Sequence, residues 1–228
     1  MPNLDPQDVS WSELAIFFSR ERMSVYLDVS QGDHKAAKQL FLWNSKVAAL
    51  FWEVIGLVEV AVRCTVDSQL SKAFPANDWL ESNVVFSESD QIWKIITNAR
   101  ERVGGSIAGQ RHHQVIQQLP LGFFQVLISK RYLRIWPDLA SGFKGGDRGS
   151  HKELSQLMQF FREFRNRIGH HDLLNELDLG AAHDKLLRIA ALVDPRLETW
   201  ISQVSEVPKL RNKRPQDVGA WRENEPVS

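Results

Sequence analysis

The sequence predicts an all-α fold, and two patterns indicate it. Apolar residues recur at steps of three and four along most of the chain, as they do on one face of an α-helix. Alternation of apolar and polar residues never persists beyond a few positions, so no strand is predicted. The 228 residues are 43% hydrophobic and include eight tryptophans. We therefore expect a single helical domain over residues 1–205 with a sizeable core, followed by a polar, flexible tail over 206–228.

The first helix is marked by a capping box. Ser10 is suited to accept a backbone N–H as the N-cap, and Glu13 stands three residues later. The apolar pattern that follows predicts a helix to about Val29. Gly32 is expected to stop it.

The second helical segment is unusually long. Asp33 can cap it, residues 34–74 contain no proline and only one glycine, and Pro75 ends it. The segment is either one very long helix or two nearly collinear helices. Cys64 lies within it and is expected in the core. As the only cysteine, it excludes an internal disulfide and is typical of a reducing cytoplasm.

Shorter helices are predicted in the middle of the chain. Ser87 or Ser89 can open a helix that Gly104 ends. Residues 112–119 are weakly helical up to a proline. Residues 121–132 form an apolar segment that also favours a helix.

Three further helices are predicted in the C-terminal third. Pro137 marks a break, and Ser150 can cap a helix with one apolar stripe. The stripe consists of Leu154, Leu157, Met158, Phe161, Phe164 and Ile168. Another helix is expected over residues 181–193, and Pro195 is expected to start a last short one.

Charge and hydropathy limit the classes of function. The chain has 28 basic and 28 acidic residues, so any nucleic-acid site must be a local patch. The longest apolar stretch, residues 47–62, includes two glutamates and is shorter than the ~20 residues that span a membrane. Residues 1–8 show no secretory signal pattern. We therefore expect a cytoplasmic protein with no membrane partner.

The segment 165–172 gives the strongest indication of chemistry. Arg165 can hold a phosphate with a planar fork of donors, and His170 can move a proton near neutral pH. Asn166 can orient either group. Cleavage of RNA through its own 2′-hydroxyl needs a proton shuttle and a charge clamp, and it needs no metal. A ribonuclease is therefore the first hypothesis.

Helix geometry complicates this hypothesis. At about 100° per residue, Arg165 and His170 lie roughly 140° apart on an ideal helix, so one straight helix does not aim both at one substrate. Either Gly169 ends or distorts the helix, or two copies of the motif meet across a dimer. A simpler interpretation is that His170 and His171 only cap carbonyl groups at the helix end.

Metal and nucleotide chemistry find little support in the sequence. The histidine pairs at 112–113 and 170–171 are adjacent, whereas metal ligands on one helix face stand four residues apart. The chain also lacks paired cysteines and a glycine-rich loop followed by lysine and serine or threonine. We therefore expect no metal site and no cofactor.

Four stretches in order carry a family resemblance. They are Leu-Trp-Asn at 42–44 with Glu-Val-Ala-Val-Arg at 59–63, Leu-Gly-Phe-Phe at 121–124, the segment 164–172, and Asp-Pro at 194–195 with Trp200. Together they resemble the Abi-like (abortive infection) proteins of the HEPN superfamily. The similarity covers roughly residues 15–205, and the order of the four stretches makes it fairly specific.

The resemblance implies a HEPN-type helical bundle with a very long helix in its N-terminal half and extra helices. It implies a metal-independent endoribonuclease that leaves 2′,3′-cyclic phosphate and 5′-hydroxyl ends and acts as a toxin or phage-defence effector. It also implies a homodimer whose two Arg-Asn-x-x-x-His motifs share one cleft, with an antitoxin or inhibitor as a possible partner. The implied catalytic residues are Arg165, Asn166 and His170.

Supporting residues follow from the same match. Glu59 and Arg63 are four residues apart, so they form either an ordinary intrahelical pair or part of the cleft that positions Arg165 or His170. His171 is a possible supporting residue, one position outside the matched spacing.

Weaker RNA contacts and an alternative function complete the expectations. Arg167 and the basic cluster of Lys209, Arg211, Lys213 and Arg214 can contact phosphates, although such runs are usually only solvated. The alternative is a non-catalytic HEPN-fold module that dimerises or binds RNA or a protein.

Overall fold

The computed structural model describes residues 9–81, 84–105, 111–144 and 148–211. It confirms the all-α prediction, since these ranges contain no β-strand. The helices are α1 (Trp11–Phe17), α2 (Arg20–Val29), α3 (His34–Ala73), α4 (Gln91–Val103), α5 (His112–Gln118), α6 (Leu121–Leu127), a 3-10 segment (Lys130–Ile135), α7 (Trp136–Ala140), α8 (Arg148–Gly169), α9 (Leu179–Val193), α10 (Pro195–Val204) and α11 (Val207–Arg211). No helix in the described ranges is long and apolar enough to cross a membrane.

The 40-residue helix α3 organises the fold. Asp33 caps it by accepting the backbone N–H groups of Lys35 at 2.8 Å and Ala36 at 3.0 Å. At 1.5 Å per residue the helix is about 60 Å long. It is one continuous helix that ends before Pro75, because proline cannot continue the helical hydrogen bonds.

The core forms around α3, which contacts α1, α2, α6, α7, α8, α9 and α11. Its buried positions recur at three- and four-residue steps, from Ala36 to Leu70. The predicted apolar stripe of α8 is confirmed, since all its members are buried except Leu157, which is half-buried. Phe51 of α3 meets Phe164 of α8 edge to face at 4.8 Å between ring centres, which places the end of α8 against the middle of α3.

The prediction of a single helix up to Val29 was wrong. The capping box of Ser10 and Glu13 is present, but α1 ends at Phe17. Ser19 then adopts a φ of 68°, and its hydroxyl accepts the N–H of Arg22 at 3.3 Å. Because Ser19 caps a new helix, the chain changes direction there and α2 begins.

One expected helix start was wrong. Neither Ser87 nor Ser89 caps α4, which begins after Asp90, and their hydroxyls hydrogen bond to each other at 2.7 Å. The break expected at Pro137 is confirmed, since the 3-10 segment ends at Ile135 and α7 begins at Trp136. Pro137 stands in the first turn of α7, where the missing N–H has no helical partner to lose.

Both ends of the last third differ from the prediction. The helix α8 already begins at Arg148, so Ser150 lies inside it. The first residues of the predicted tail form α11, in which Val207 is buried and donates its backbone N–H to the Ser205 hydroxyl at 3.4 Å.

Cys64 was expected in the core but is exposed, because the outward-facing side of α3 carries it.

Candidate active site at the C-terminal end of α8

A tight turn ends α8 and fixes the segment that bears the two adjacent histidines. His171 adopts a left-handed φ of 56°. Its N–H is bonded to the carbonyl of Ile168 at 3.1 Å, and the N–H of Asp172 is bonded to that of Arg167 at 3.0 Å. These two bonds form a Schellman motif, in which a glycine usually occupies the left-handed position. Gly169 is the last residue of α8 and has no left-handed φ, so the helix ends there, as one of the two alternatives allowed, without an earlier distortion at Gly169.

A buried asparagine anchors the chain just after this turn. The Asn44 side chain of α3 donates to the carbonyl of Asp172 at 3.2 Å and accepts the N–H of Leu174 at 2.9 Å. It also donates to the hydroxyl of Tyr26 at 3.1 Å. All polar groups of this amide are therefore used to join α2, α3 and the turn.

Arg22 of α2 covers the end of α8 from the other side. Its guanidinium donates to the carbonyl oxygens of His170 at 3.4 Å and His171 at 3.5 Å. These carbonyls carry the negative end of the helix dipole, which opposes the binding of an anion. The positive charge of Arg22 offsets that effect next to the candidate site.

Arg165 lies against a tryptophan of α3. Its guanidinium carbon is 5.3 Å from the ring centre of Trp52, within the range of a cation–π contact. Gly169 lies next to this pair, since a Cβ there would be in van der Waals contact, at 3.8 Å, with both Arg165 Nη1 and Trp52 Cη2. Arg165 Nε is buried and has no hydrogen-bond partner in the described part of the chain. The arginine is thus held in place without being neutralised by a described carboxylate.

Asn166 and His170 present exposed side chains beside this arginine. The backbone N–H of His170 is bonded to the carbonyl of Asn166 at 2.8 Å, which continues the helical pattern to the end of α8. Because the helix is regular up to Gly169, the offset of roughly 140° between Arg165 and His170 persists. Among the described residues, no hydrogen bond joins the side chains of Arg165, Asn166 and His170 to one another.

The supporting residues make different contacts. Glu59 and Arg63 form the predicted intrahelical ion pair. Arg63 also donates to the carbonyls of Ile116 at 3.2 Å and Gln117 at 3.4 Å, and to that of Leu119. Apart from the pair with Glu59, the described hydrogen bonds of Arg63 therefore go to the C-terminal end of α5, and none goes to Arg165 or His170.

The predicted weak RNA contacts are mostly engaged in ion pairs or lie outside the described residues. Arg167 Nε is 3.8 Å from a carboxylate oxygen of Asp172, and both side chains are about half exposed. Lys209 pairs with Glu206 at 2.7 Å. The side chain of Arg211, and Lys213 and Arg214 entirely, lie outside the described residues.

The histidine whose pKa is most strongly raised is not in the segment 165–172 but at the start of α5. His112, the first residue of α5, is bonded through Nε2 to Asp67 at 2.6 Å and through Nδ1 to Asp78 at 2.8 Å. These bonds to the two carboxylates raise the pKa of His112 to about 9. Trp79 also donates to Asp67 at 2.9 Å, so the network ties α5 and the loop after α3 to α3 itself. No described cluster of three His, Cys, Asp or Glu side chains is able to hold a metal ion.

Sequence reasoning missed three residues that shape the site: Arg22, Asn44 and Trp52. Asn44 gave a usable signal, because a polar residue stands at a position of α3 whose periodicity is otherwise apolar. Trp52 gave none, since it follows Leu50 and Phe51 in an apolar run and resembles a core residue. The contact of Arg22 depends on the turn at Ser19, which the sequence analysis had not placed.

Comparison of the chain with family models, with curated proteins and with solved structures finds no match. The end of α8 carries an arginine with no described carboxylate partner, an exposed amide and an exposed imidazole. Such a set of side chains is suited to binding a phosphate and moving a proton.

Proposed function

We propose that this chain is a metal-independent endoribonuclease. It cleaves RNA by transfer of the phosphate to the neighbouring 2′-hydroxyl, leaving 2′,3′-cyclic phosphate and 5′-hydroxyl ends. The observation that carries the proposal is the guanidinium of Arg165, which is held by Trp52 and has a buried Nε without a described partner. A positioned, unneutralised arginine beside an exposed histidine is what this transfer requires.

The proposed roles follow from the chemistry of each group. The 2′-oxygen attacks phosphorus while the bond from phosphorus to the 5′-oxygen breaks. His170 either accepts the proton of the 2′-hydroxyl or donates one to the leaving 5′-oxygen. Arg165 stabilises the added negative charge of the phosphorane-like transition state, and Asn166 orients His170 or the phosphate.

The proposed assembly is a homodimer with two-fold symmetry in which the ends of α8 approach each other. The separation of Arg165 and His170 around the helix supports it, because a second copy can supply the missing group. Leu42 and Val60 of α3 are 45% and 59% exposed. They are eighteen residues apart and thus lie on one line of the helix, roughly 80° from Trp52. These two exposed apolar side chains are suitable contacts for the second copy.

The proposed biological role is that of a toxin or phage-defence effector, controlled by an antitoxin or inhibitor. Support for this role comes from the resemblance to Abi-like proteins alone. The balance of 28 basic and 28 acidic residues agrees with action on RNA through a local site and not through a global positive field.

A second candidate function is a non-catalytic HEPN-fold module that dimerises or binds RNA or a protein. One observation favours it: within one chain, no hydrogen bond joins the described side chains of Arg165 and His170. In that case the surface at the end of α8 binds a partner without cleaving it.

The test is incubation of the purified protein with mixed RNA in EDTA, followed by analysis of the fragment ends. We expect cleavage to persist and to leave cyclic phosphate ends, since the proposed proton transfers use side chains alone. The His170→Ala protein is the control for a contaminating ribonuclease. A strict requirement for added magnesium or manganese, or fragments with 3′-hydroxyl ends, would contradict the mechanism.

A further inference from the structure

Arg162 extends the charged surface of α8 away from the helix end. It stands three residues before Arg165 and four before Asn166, so its side chain neighbours both of theirs on the helix surface, about 5 Å away along the axis. Arg162 is exposed, and no hydrogen bond or ion pair joins it to another described residue. Its side chain passes Gly122 of α6, where a Cβ would lie 3.7 Å from Arg162 Cδ.

The face that bears Arg162 and Arg165 is locally positive. Positions three or four residues from Arg162 on α8 carry no carboxylate. The neighbouring Glu163 accepts a hydrogen bond from Gln159 at 3.0 Å and forms no ion pair with Arg162 among the described residues. In a chain without net charge, two arginines one turn apart form a patch that neighbouring phosphates of one strand can contact.

Trp52 adds an aromatic surface at the border of this patch. It is 46% exposed although it contacts Arg165, so part of the ring faces solvent. An exposed tryptophan beside an arginine is the usual composition of a surface on which single-stranded bases stack. In a duplex both faces of a base are covered by its neighbours, so such a ring favours a single strand.

We propose that Trp52 and Arg162 bind the nucleotides that flank the cleaved bond in single-stranded RNA. Trp52 stacks on a base, and Arg162 contacts the adjacent phosphate, while Arg165 faces the phosphate that reacts. The inference rests on the proposed function, because it takes Arg165 as the centre of the site. Since every base has a face that can stack, this subsite tolerates many sequences and selects unpaired RNA.

The experiment measures binding separately from cleavage. Full-length protein with His170→Ala is titrated against a fluorescent single-stranded 2′-O-methyl RNA of mixed sequence, which has no free 2′-hydroxyl, and anisotropy is followed at several salt concentrations. We expect Trp52→Leu to weaken binding about tenfold. We expect Arg162→Gln to weaken it severalfold and to reduce the slope of log K against log salt by about 0.7. Trp52→Phe and Arg162→Lys should recover most of the affinity.

Matched controls separate the subsite from general effects. Trp200 is 50% exposed on α10, so Trp200→Leu removes an equally exposed ring. Lys152→Gln removes one charge from α8 about 15 Å from Arg162. Both should leave binding unchanged, and circular dichroism confirms that each variant is folded. The subsite is excluded if the Trp52 and Arg162 variants bind like these controls, or if duplex RNA binds as tightly as single strands.

The outcomes also separate this inference from the proposed function. If wild-type protein cleaves RNA but Trp52→Leu and Arg162→Gln bind RNA as tightly as the controls Trp200→Leu and Lys152→Gln, the ribonuclease stands and the subsite is wrong. If wild-type protein does not cleave RNA in EDTA, but binding of the uncleavable strand depends on Trp52 and Arg162, the subsite stands and the ribonuclease is wrong.

Discussion

Arg165 is held through its side chain, whereas His170 is held only through its backbone. Trp52 holds the guanidinium, while Arg22 and the Asn44-anchored turn hold the carbonyls and the chain around His170. The imidazole is exposed and keeps its rotational freedom. A rigid arginine stabilises the charge of the transition state without first having to reorganise. An exposed histidine can reach the substrate atoms with which it exchanges a proton.

These differences predict the effects of single substitutions. His170→Ala and Arg165→Ala should each lower the rate of RNA cleavage about 100-fold or more, because each removes a group used only in the transition state. His171→Ala is the matched control, since its side chain is exposed and points out of a left-handed turn. The measurement is single-turnover cleavage of one RNA by all three proteins. A larger loss for His171→Ala would show that the two histidines are assigned in the wrong order.

Asn44 should stabilise both the fold and the site. Asn44→Ala leaves the N–H of Leu174 and the carbonyl of Asp172 without their partner, so we expect the free energy of unfolding to fall by about 2–4 kcal/mol. Cleavage should fall as well, at a temperature where the variant is still folded, because the turn that carries His170 loosens. Urea unfolding measures the first effect. Asn98→Ala, exposed on α4, is the control, and equal stability of the two variants would refute the role of Asn44.

At the scale of single residues, the sequence predicted the groups but not their surroundings. The types and order of Arg165, Asn166 and His170 suffice to suggest phosphate and proton chemistry. The neighbours that position them, Trp52 and Arg22, come from helices more than a hundred positions away in the chain. Such contacts depend on packing, and no local pattern encodes them.

At the scale of helices, the strength of the local signal decided which predictions succeeded. The long α3 followed from unbroken periodicity between a cap and a proline, which leaves the backbone no competing structure. The break at Ser19 was missed because a serine in an otherwise continuous pattern does not reveal a positive φ. The break at Pro137 was predicted correctly because proline interrupts a helix in its interior and suits the first turn of the next one.

The network around His112 makes the attachment of α5 dependent on pH. Its pKa is raised to about 9 when folded, against about 6.5 in an unfolded chain, so its contribution to stability is complete below pH 6.5 and is lost as the pH rises through 9. Burial raises the pKa values of Asp67 and Asp78, but the hydrogen bonds and charge of His112, together with the hydrogen bonds from Trp79 to Asp67 and from the Leu80 N–H to Asp78, outweigh burial. Both pKa values are therefore lowered, and the contribution of the two carboxylates is lost in acid. Stability should therefore be greatest between these limits.

His112→Gln tests this dependence. We expect His112→Gln to lower the free energy of unfolding in urea by about 1–3 kcal/mol at pH 6 and by much less at pH 9.5. The loss at pH 6 is modest because the network is partly exposed to solvent, which screens its charges. His113→Gln, an exposed neighbour on the same helix, should match wild type at both values. A deficit that is equal at pH 6 and pH 9.5 would mean that the charge of His112 does not stabilise the fold.

At the scale of the whole molecule, the offset between Arg165 and His170 is the main constraint on function. A regular helix to Gly169 separates the two side chains around its axis, and no hydrogen bond joins them in the described part of one chain. The exposed line of Leu42 and Val60 on α3 runs beside the same region. A second copy placed there with two-fold symmetry would supply the missing group to each cleft.

Mixing two inactive proteins tests whether each cleft takes Arg165 from one chain and His170 from the other. In a mixed dimer of Arg165→Ala and His170→Ala chains, one cleft lacks both groups and the other keeps both. Random exchange makes half of the dimers mixed, each with one intact cleft of two, so the expected activity is about one quarter of wild type. Cleavage of a fluorescent RNA after slow refolding of the mixture measures it.

The control replaces the His170→Ala chain with the double variant Arg165→Ala, His170→Ala, which offers no intact group to its partner. That mixture should remain inactive, because every cleft then lacks Arg165. Recovery in the first mixture and not in the second requires both the dimer and the exchange of groups across it. If neither mixture recovers, or if wild-type protein is fully active while light scattering shows a monomer at micromolar concentration, then one chain must bring Arg165 and His170 together by unwinding the end of α8.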